Sequence, residues 1–253
     1  AAAASSALAF TGCVTQSTGT APESDMDLMD QATDLILNAY PETASSAGID
    51  TGKYRYLKSQ LTDRSPAGQA AIESDVRAML AKLNQVDTAA LPADEALTFD
   101  VVRSVFETTA EGFDLPYGDV ALLNSNWSYR NSPYVVAQNT GAFVEIPSFL
   151  DSSHSIKQHS DADSYLLRME AYARQLDGET ARVRENGEKG VILPDFLMEK
   201  TLGQLRGADA KPAEDWGIVK TLATKTAEFG TPFGERAALL AEQKIRPAIK
   251  RQI

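Results

Sequence analysis

The sequence has few of the residues that build metal centres and disulfide frameworks. Its 253 residues include one cysteine, Cys13, and two histidines, His154 and His159. One cysteine excludes an intrachain disulfide and any metal site made of several cysteines. A helical zinc pair needs histidines four positions apart. His154 and His159 are five apart and on a helix would diverge by about 140°.

The sequence also has fewer basic than acidic residues. The chain has 24 Lys and Arg against 35 Asp and Glu, a formal net charge of −11. Nucleic-acid binding needs clustered positive charge that displaces the counterions of phosphates. The composition therefore argues against nucleic acid as a partner and against electrostatic docking on anionic lipid. An acidic, solvated surface is the simplest interpretation.

Long apolar runs are missing after the first dozen residues, and no stretch of about 18 apolar residues predicts a membrane-spanning helix. The opening "AAAASSALAFTG" is small and uncharged and leads directly to Cys13, as at the end of a secretory signal peptide. "FTGC" is similar to a bacterial lipobox, in which the cysteine is lipidated. The following "TQSTGTAPESD" has the polar composition of a tether.

We therefore predict that residues 1–24 are a signal-peptide remnant with a lipidated Cys13 and a tether. The protein would be exported to the bacterial cell envelope and held on the periplasmic side through the lipid anchor only. The alternative is a disordered Ala/Ser leader in which the cysteine has no role.

The two ends of the sequence suggest a piece of a longer protein. No Met and no basic segment precede Ala1. Helical spacing continues to the last residue through Ala238, Glu242, Ile245, Ile249 and Ile253. We expect residues 25–253 to be a helical domain, the N-terminal part of a protein truncated at its C-terminus.

Helical periodicity dominates residues 25–253 and predicts an all-α fold, a bundle of amphipathic helices. The best-defined helix, 66–86, begins after Ser65 as a cap with Pro66 in the first position. Its apolar face is predicted at Ile72, Val76, Met79, Leu83 and Val86. Further helices are predicted over 25–40, 93–110, about 161–187, 195–205 and 213–228, before a last one that Pro232 opens and Pro247 kinks or splits. The buried side of the longest helix is predicted at Leu166, Met169, Tyr172, Leu176 and Val183.

One long connector, about 112–160, interrupts the helices and is rich in aromatic residues, proline and glycine. Its centre is "NSNWSYRNSPYVVAQNTGAFVEIPSFLDSSH", residues 124–154. "YVVAQ" and "AFVEI" are candidates for minor short strands, but alternation is too brief to predict a sheet. The connector is predicted to pack between two helical blocks.

No motif in the sequence indicates a complete active site within this chain. No Gly-x-Ser-x-Gly elbow, Gly-x-Gly-x-x-Gly loop or His-Glu-x-x-His helix occurs. A loop metal site around Asp151, Asp161 and Asp163 is conceivable, but loop polarity and a helix cap explain these residues better. We predict no catalytic residue, no metal ligand and no cofactor within these 253 residues.

Residues 131–206, from "NSPYVVAQNTGAFVEIPSFLDSSHSI" through "DADSYLLRMEAYARQLDGETARVRENGEKGVILPDFLMEKTLGQL", resemble the bacterial family known as domain of unknown function number 885. A looser resemblance runs from about residue 25 to the end. Members of that family are about twice as long, and many are predicted envelope lipoproteins. The resemblance implies a C-terminal half with a His-Glu-x-x-His zinc site, similar to metallopeptidases, and a peptide substrate. This chain corresponds to the N-terminal half, which would help to wall the cleft.

Three functional interpretations follow. The first is the cleft-forming, N-terminal portion of an envelope-anchored, zinc-metallopeptidase-like protein, inactive as it stands. The second is a non-catalytic helical binding domain of an envelope lipoprotein, and the third, least favoured, is a complete hydrolase using residues 124–154. Substrate-binding candidates are polar or aromatic residues of the connector: Arg130, Asn131, Tyr134 and Gln138. The sequence leaves enzymatic activity and oligomeric state open.

Overall fold

The computed structural model describes residues 25–120, 123–124 and 132–253. Within them the chain folds into ten α-helices and no β-sheet, with two isolated β-bridges in the connector. The predicted all-α fold is confirmed. The predicted leader of residues 1–24 with Cys13, and the candidates Arg130 and Asn131, lie outside the described residues.

The helices follow one another along the chain as α1 Asp25–Ala39, α2 Pro41–Ser46, α3 Pro66–Leu83, α4 Ala93–Phe113, α5 Ala142–Ser152, α6 His159–Glu188, α7 Asp195–Asp209, α8 Gly217–Lys225, α9 Phe233–Leu240 and α10 Arg246–Gln252. Short 3-10 turns lie at Gly52–Ser59, Thr88–Ala90, Ala213–Asp215 and Ala227–Phe229. In the described part of the chain, we find no helix that combines the length and the apolar character needed to cross a bilayer.

Helix α3 begins at Pro66 as the sequence predicts, but it ends at Leu83, so Val86 lies beyond the helix. The Ser65 Oγ accepts a hydrogen bond from the Gly68 N–H at 3.0 Å, which satisfies one of the free donors at the helix start. The apolar stripe of α3 is buried and joins α1 and α4 in one core, made by Ile72, Val76, Met79 and Leu83 with Leu28, Phe99 and Phe106.

The 30-residue helix α6 is the centre of the second and larger core. Its apolar face packs on α5, α9 and α10, and α8 joins the same core through α5 and α9. Leu166, Met169, Tyr172 and Leu176 are buried there, as predicted. Val183 is 41% exposed, so its assignment to the buried side is wrong. It borders a groove on the surface, which is described below.

Helix α5 lies inside the segment predicted as an irregular connector, and "AFVEI" belongs to this helix rather than to a strand. Pro147 stands in the helix interior, where it removes one backbone hydrogen bond. Burial of Ile146, Phe149 and Leu150 against α6 offsets that loss. Sequence periodicity missed α5 because proline and glycine signals surround it.

The C-terminal helix is interrupted near Pro247, as predicted. A five-residue π-helical turn, Ala241–Ile245, joins α9 to α10. Pro247 lacks the N–H that would continue an α-helix, and the wider turn accommodates that loss. Ile245 and Ile249 are fully or almost fully buried against α6. The predicted helix over 213–228 is shortened to α8, because Trp216 has an extended backbone with ψ 137°.

Candidate functional site

An apolar groove of about 300 Å³ runs between the connector and α7, and we call it the α7 groove. Its walls are the segment Pro133–Val136, the end of α6, residues 191–193, α7 and the last two residues of the chain. None of its sixteen lining residues is Asp, Glu, Lys, Arg or His. The side chains that line this groove are uncharged and mostly apolar, and they favour an apolar occupant.

A second cavity, of about 400 Å³, adjoins the α7 groove and shares Pro133 and Tyr134 with it. It continues to Gln138, Asn139 and Thr140 at a turn of the connector. Pro133 and Tyr134 therefore border both cavities. The structure brings together two of the sequence-predicted substrate-binding residues, Tyr134 and Gln138, at the second cavity.

The connector wall is held in place by hydrogen bonds around Ser132. Its backbone pairs with Asp119 in both directions, at 2.6 and 2.9 Å. The Ser132 Oγ donates to the Tyr134 carbonyl at 2.9 Å and accepts from the Tyr134 N–H at 3.2 Å. Arg182 of α6 donates to the Gly118 carbonyl and to the Asp119 carboxylate, both at 2.8 Å. These contacts fix the groove wall on α6.

Gly118 has the backbone conformation that the pairing of Asp119 with Ser132 requires. Its φ is +94°, which side chains with a Cβ rarely adopt. A Cβ at this position would lie 2.4 Å from the Ser132 carbonyl oxygen. Only glycine allows these two segments of the connector to approach this closely.

The polar side chains that line the α7 groove include Asn186, Thr201 and Gln252. Asn186 is 7% exposed. The Gln252 Nε2 donates to the Leu176 carbonyl at 3.4 Å, while its buried Oε1 lacks a partner among the described atoms. Thr201 is satisfied, because its hydroxyl donates to the Leu197 carbonyl at 2.8 Å. The groove therefore offers amide groups to an occupant.

A buried ionic cluster of Arg64, Glu145 and Glu179 lies behind the connector. The Arg64 guanidinium donates to Glu179 at 2.8 Å and also to Glu145. Glu179 accepts from the Ala142 N–H, and Glu145 accepts from the Gly141 N–H. Burial raises the pKa of the Glu179 carboxyl to about 7, against the opposing effect of Arg64. The cluster fixes the start of α5, and with it the neighbouring groove wall, on α6.

The two histidines are engaged with protein groups and do not face each other. The Arg168 guanidinium donates to the His154 Nδ1 at 2.8 Å, so the His154 Nε2–H must donate to the Asp161 carbonyl, 2.9 Å away. Burial and then Arg168 lower the pKa of His154 to about 4. His159 stacks on Phe229 with a centroid distance of 4.8 Å. Asp161 accepts from the N–H groups of Lys157 and Gln158 and pairs with Lys58 at 2.9 Å.

Arg168 is a structural cross-link between α6 and the N-terminal segment. It is fully buried and donates to the Ser45 hydroxyl at 2.8 Å and to the carbonyls of Leu57 and Gln60 at 3.1 and 3.0 Å. The buried environment lowers the pKa of Arg168 to about 10. Together with the bond to His154, these contacts use four of the five N–H donors of Arg168, and its buried side chain has a structural role.

Sequence reasoning missed the polar side of α6 that carries these contacts. The side chains recur at helical spacing in Arg168, Gln175, Glu179, Arg182 and Asn186, and all are buried. A helix with such a polar stripe beside an apolar one is buried on two sides. Gly178, a glycine inside a long helix, was a further sequence signal of close packing. The structure gives the reason, because a Cβ there would lie 2.7 Å from the Ser65 nitrogen.

Comparisons with known proteins give a family and a related fold. Residues 41–253 match the model of a family described as "Bacterial protein of unknown function (DUF885)", which confirms the resemblance indicated by residues 131–206. None of the curated proteins compared with the chain matches it. Among solved structures, the chain is similar to a presumed lipoprotein from Colwellia psychrerythraea, with a TM-score of 0.72 and 14% identity. That match covers 90% of this chain and 40% of the other, and at this identity it shows a shared fold.

Proposed function

We propose that this chain, which belongs to the bacterial DUF885 family, forms the N-terminal helical portion of a longer, envelope-anchored protein. In that protein it would build one wall of a substrate cleft. The observation that carries the proposal is the unequal coverage of the solved relative, since 90% of this chain aligns with 40% of that protein. The relative's description as a lipoprotein supports the envelope location.

The family resemblance implies a zinc-metallopeptidase-like activity for the longer protein. This sequence contains no His-Glu-x-x-His. Among the described residues, no three His, Cys, Asp or Glu side chains lie close enough to hold a metal ion. The described residues therefore offer no ligand set for a zinc ion, and we assign them no catalytic step. Activation of water by zinc would belong to the part of the relatives that this chain does not match.

The contribution of this chain would be to bind and position a peptide. Tyr134 and Gln138 lie along the two adjoining cavities, where an apolar wall and polar groups meet. Such a combination buries apolar side chains and fixes orientation through a few hydrogen bonds. Arg130 and Asn131 precede this wall in sequence and are proposed to contact the same substrate.

A non-catalytic binding domain is the second candidate function. It is favoured by the contents of the α7 groove, whose lining residues include no nucleophile–base pair and no ionisable acid or base except Tyr134. A domain of this kind would capture an apolar partner at the cell envelope without changing it.

The decisive experiment begins with the DNA that encodes residues beyond Ile253. The proposal expects a His-Glu-x-x-His motif within the next couple of hundred codons. The longer protein should then be purified, its zinc content measured by mass spectrometry and its hydrolysis of a peptide library followed. A matched variant with the first motif histidine changed to alanine serves as the control.

The two functions predict different results. Hydrolysis that requires both zinc and the motif histidine supports the peptidase-like function. A stop codon directly after Ile253 refutes it, as does a zinc-loaded longer protein that binds peptides but leaves them intact. The second of these results supports the binding domain instead.

A further inference from the structure

The α7 groove collects exposed apolar side chains from three separate segments of the chain. Val183 at the end of α6, Ile192 in the following loop and Ile253 after α10 all line it. They are 41%, 60% and 39% exposed. An apolar surface that stays exposed in this way is typical of an interaction site.

The position of Ile253 favours an occupant that belongs to the same polypeptide. More than half of the solved relative lies outside the match, which covers 40% of that protein. The proposed function places the corresponding part of the longer protein after Ile253. Because Ile253 lines the groove, that part begins at the groove itself. A covalently attached segment has a high effective concentration, which gives it an advantage over a free ligand.

The lining residues determine which side chains the occupant carries. Met198, Leu202 and Leu205 of α7 line the groove together with Val135 and Val136 of the connector, and no charged residue lines it. A charged group placed here loses its hydration without gaining a counter-charge. Aliphatic side chains gain free energy by burying apolar area against this wall.

We propose that the α7 groove is the docking surface for the part of the longer protein that follows Ile253, which fills the groove with uncharged aliphatic side chains. The inference rests on the proposed function, because it requires a longer protein. It adds that the substrate does not occupy this groove. The second cavity, which Gln138 and Asn139 line, is left for the substrate at the edge of the contact.

The first test compares two introduced thiols in the longer protein, in a background from which Cys13 and any further cysteine have been removed. Ile192 lines the groove and is 60% exposed, whereas Leu97 in α4 is 66% exposed and does not line it. An uncovered groove predicts similar rates of reaction with a polar maleimide for Ile192→Cys and Leu97→Cys. A covered groove predicts that Ile192→Cys reacts at least tenfold more slowly. Mass spectrometry measures both rates, and each is compared with the rate in denaturant.

The second test places a charge at the same two positions. Ile192→Asp is expected to lower the melting temperature of the longer protein by at least about 3 °C, because the new carboxylate is buried at the contact without a partner. Leu97→Asp is expected to leave the melting temperature unchanged, because its carboxylate stays in solvent.

Several results would overturn the inference. Similar rates for the two thiols would show that the groove is open in the longer protein. Slow reaction of Ile192→Cys only after a peptide library is added would assign the groove to the substrate. Slow reaction that disappears on dilution would identify a second copy of the protein as the occupant.

The inference and the proposed function can be told apart when one of them fails. A longer protein that hydrolyses peptides with an open groove contradicts the inference alone. A longer protein with a covered groove but without hydrolysis contradicts the peptidase-like function alone. A stop codon directly after Ile253 refutes both.

Discussion

Glu179, in the middle of α6, caps the first turn of α5 by accepting a hydrogen bond from the Ala142 N–H, 2.9 Å from one carboxylate oxygen and 3.0 Å from the other. The two residues are 37 positions apart. Helix caps are usually supplied by a neighbouring residue in sequence. Here a second helix supplies the cap, so α5 forms only when it docks on α6.

The stability of the fold should depend on the protonation of Glu179. Its pKa is raised from 4.5 to about 7 in the folded state, so the folded protein binds this proton more tightly than the unfolded chain. That contribution to stability is complete below about pH 4.5 and is lost as the pH rises through 7. Glu179→Gln, which cannot ionise, should gain on the order of 2 kcal/mol relative to the native protein between pH 5 and 8. Urea denaturation at several pH values measures this difference.

A matched variant separates charge from packing in the same cluster. Arg64→Met leaves Glu145 and Glu179 buried without a cation and should cost about 3–5 kcal/mol at neutral pH. Parallel stability curves for the native protein and Glu179→Gln across this pH range would contradict the assignment of Glu179 as the titrating group.

His154 should remain neutral well below the ordinary pKa of histidine. The pKa of His154 is lowered to about 4 by burial and by Arg168. The stabilising effect of the neutral imidazole is therefore complete above pH 6.5 and is lost as the pH falls towards 4. An NMR titration in a His159→Gln background, which leaves one histidine, should show no transition between pH 7.5 and 5.5. The nitrogen shifts should identify Nδ1 as unprotonated, and a midpoint near 6.5 would show that the Arg168 contact is wrong.

Gly178 should tolerate no larger residue, although it lies inside a helix. A Cβ there would meet the Ser65 backbone at 2.7 and 2.8 Å. Gly178→Ala should therefore destabilise the protein by about 1–3 kcal/mol through overpacking. Gly203→Ala in α7 is the control, since nothing lies within 4 Å of its added Cβ, and helix propensity predicts a gain of up to about 1 kcal/mol. Thermal melts measure the change in stability of both variants. Equal melting temperatures would contradict the close approach of Ser65 to α6.

Arg130→Ala tests substrate binding in the longer, active protein. The proposed contact with substrate predicts about tenfold weaker binding, equivalent to about 1.4 kcal/mol, with little change in the melting temperature. KM and the melting temperature are measured on the same preparation. Losses of similar free energy in both would assign Arg130 a structural role.

Cys13→Ser tests the proposed anchor. Without the thiol, no lipid can be attached at this position, and the full-length protein should move from the membrane fraction to the soluble fraction. Cell fractionation followed by immunoblotting measures the distribution. Unchanged membrane association would exclude the lipobox interpretation.

Local signals predicted most of the helices. Ser65 and Pro66 marked the start of α3, and the apolar stripe of α6 was correct from Leu166 to Leu176. Helix α5 escaped prediction because Gly141 and Pro147 are typical of loops, and its hydrogen bond to Glu179 leaves no local pattern in the sequence. The exposure of Val183 depends on the groove beside it, and periodicity alone places that residue inside.

The candidate site was predictable only where its residues are close in sequence. Tyr134 and Gln138 are four positions apart in a segment that is polar and aromatic, and the structure places both at the second cavity. Asn186, Met198 and Gln252 reach the adjoining α7 groove from α6, α7 and α10. Their convergence depends on the packing of helices, which one sequence does not encode in any short motif.

The reach of Arg168 to Ser45, Leu57 and Gln60 has a consequence for how the protein is synthesised. Residues 41–64 leave the ribosome more than a hundred residues before Arg168 is available, so the groups that it binds stay hydrated by solvent until then. Contacts of such long sequence separation form late, so residues 41–64 should become protease-resistant on a stalled nascent chain only once α6 has been released in full.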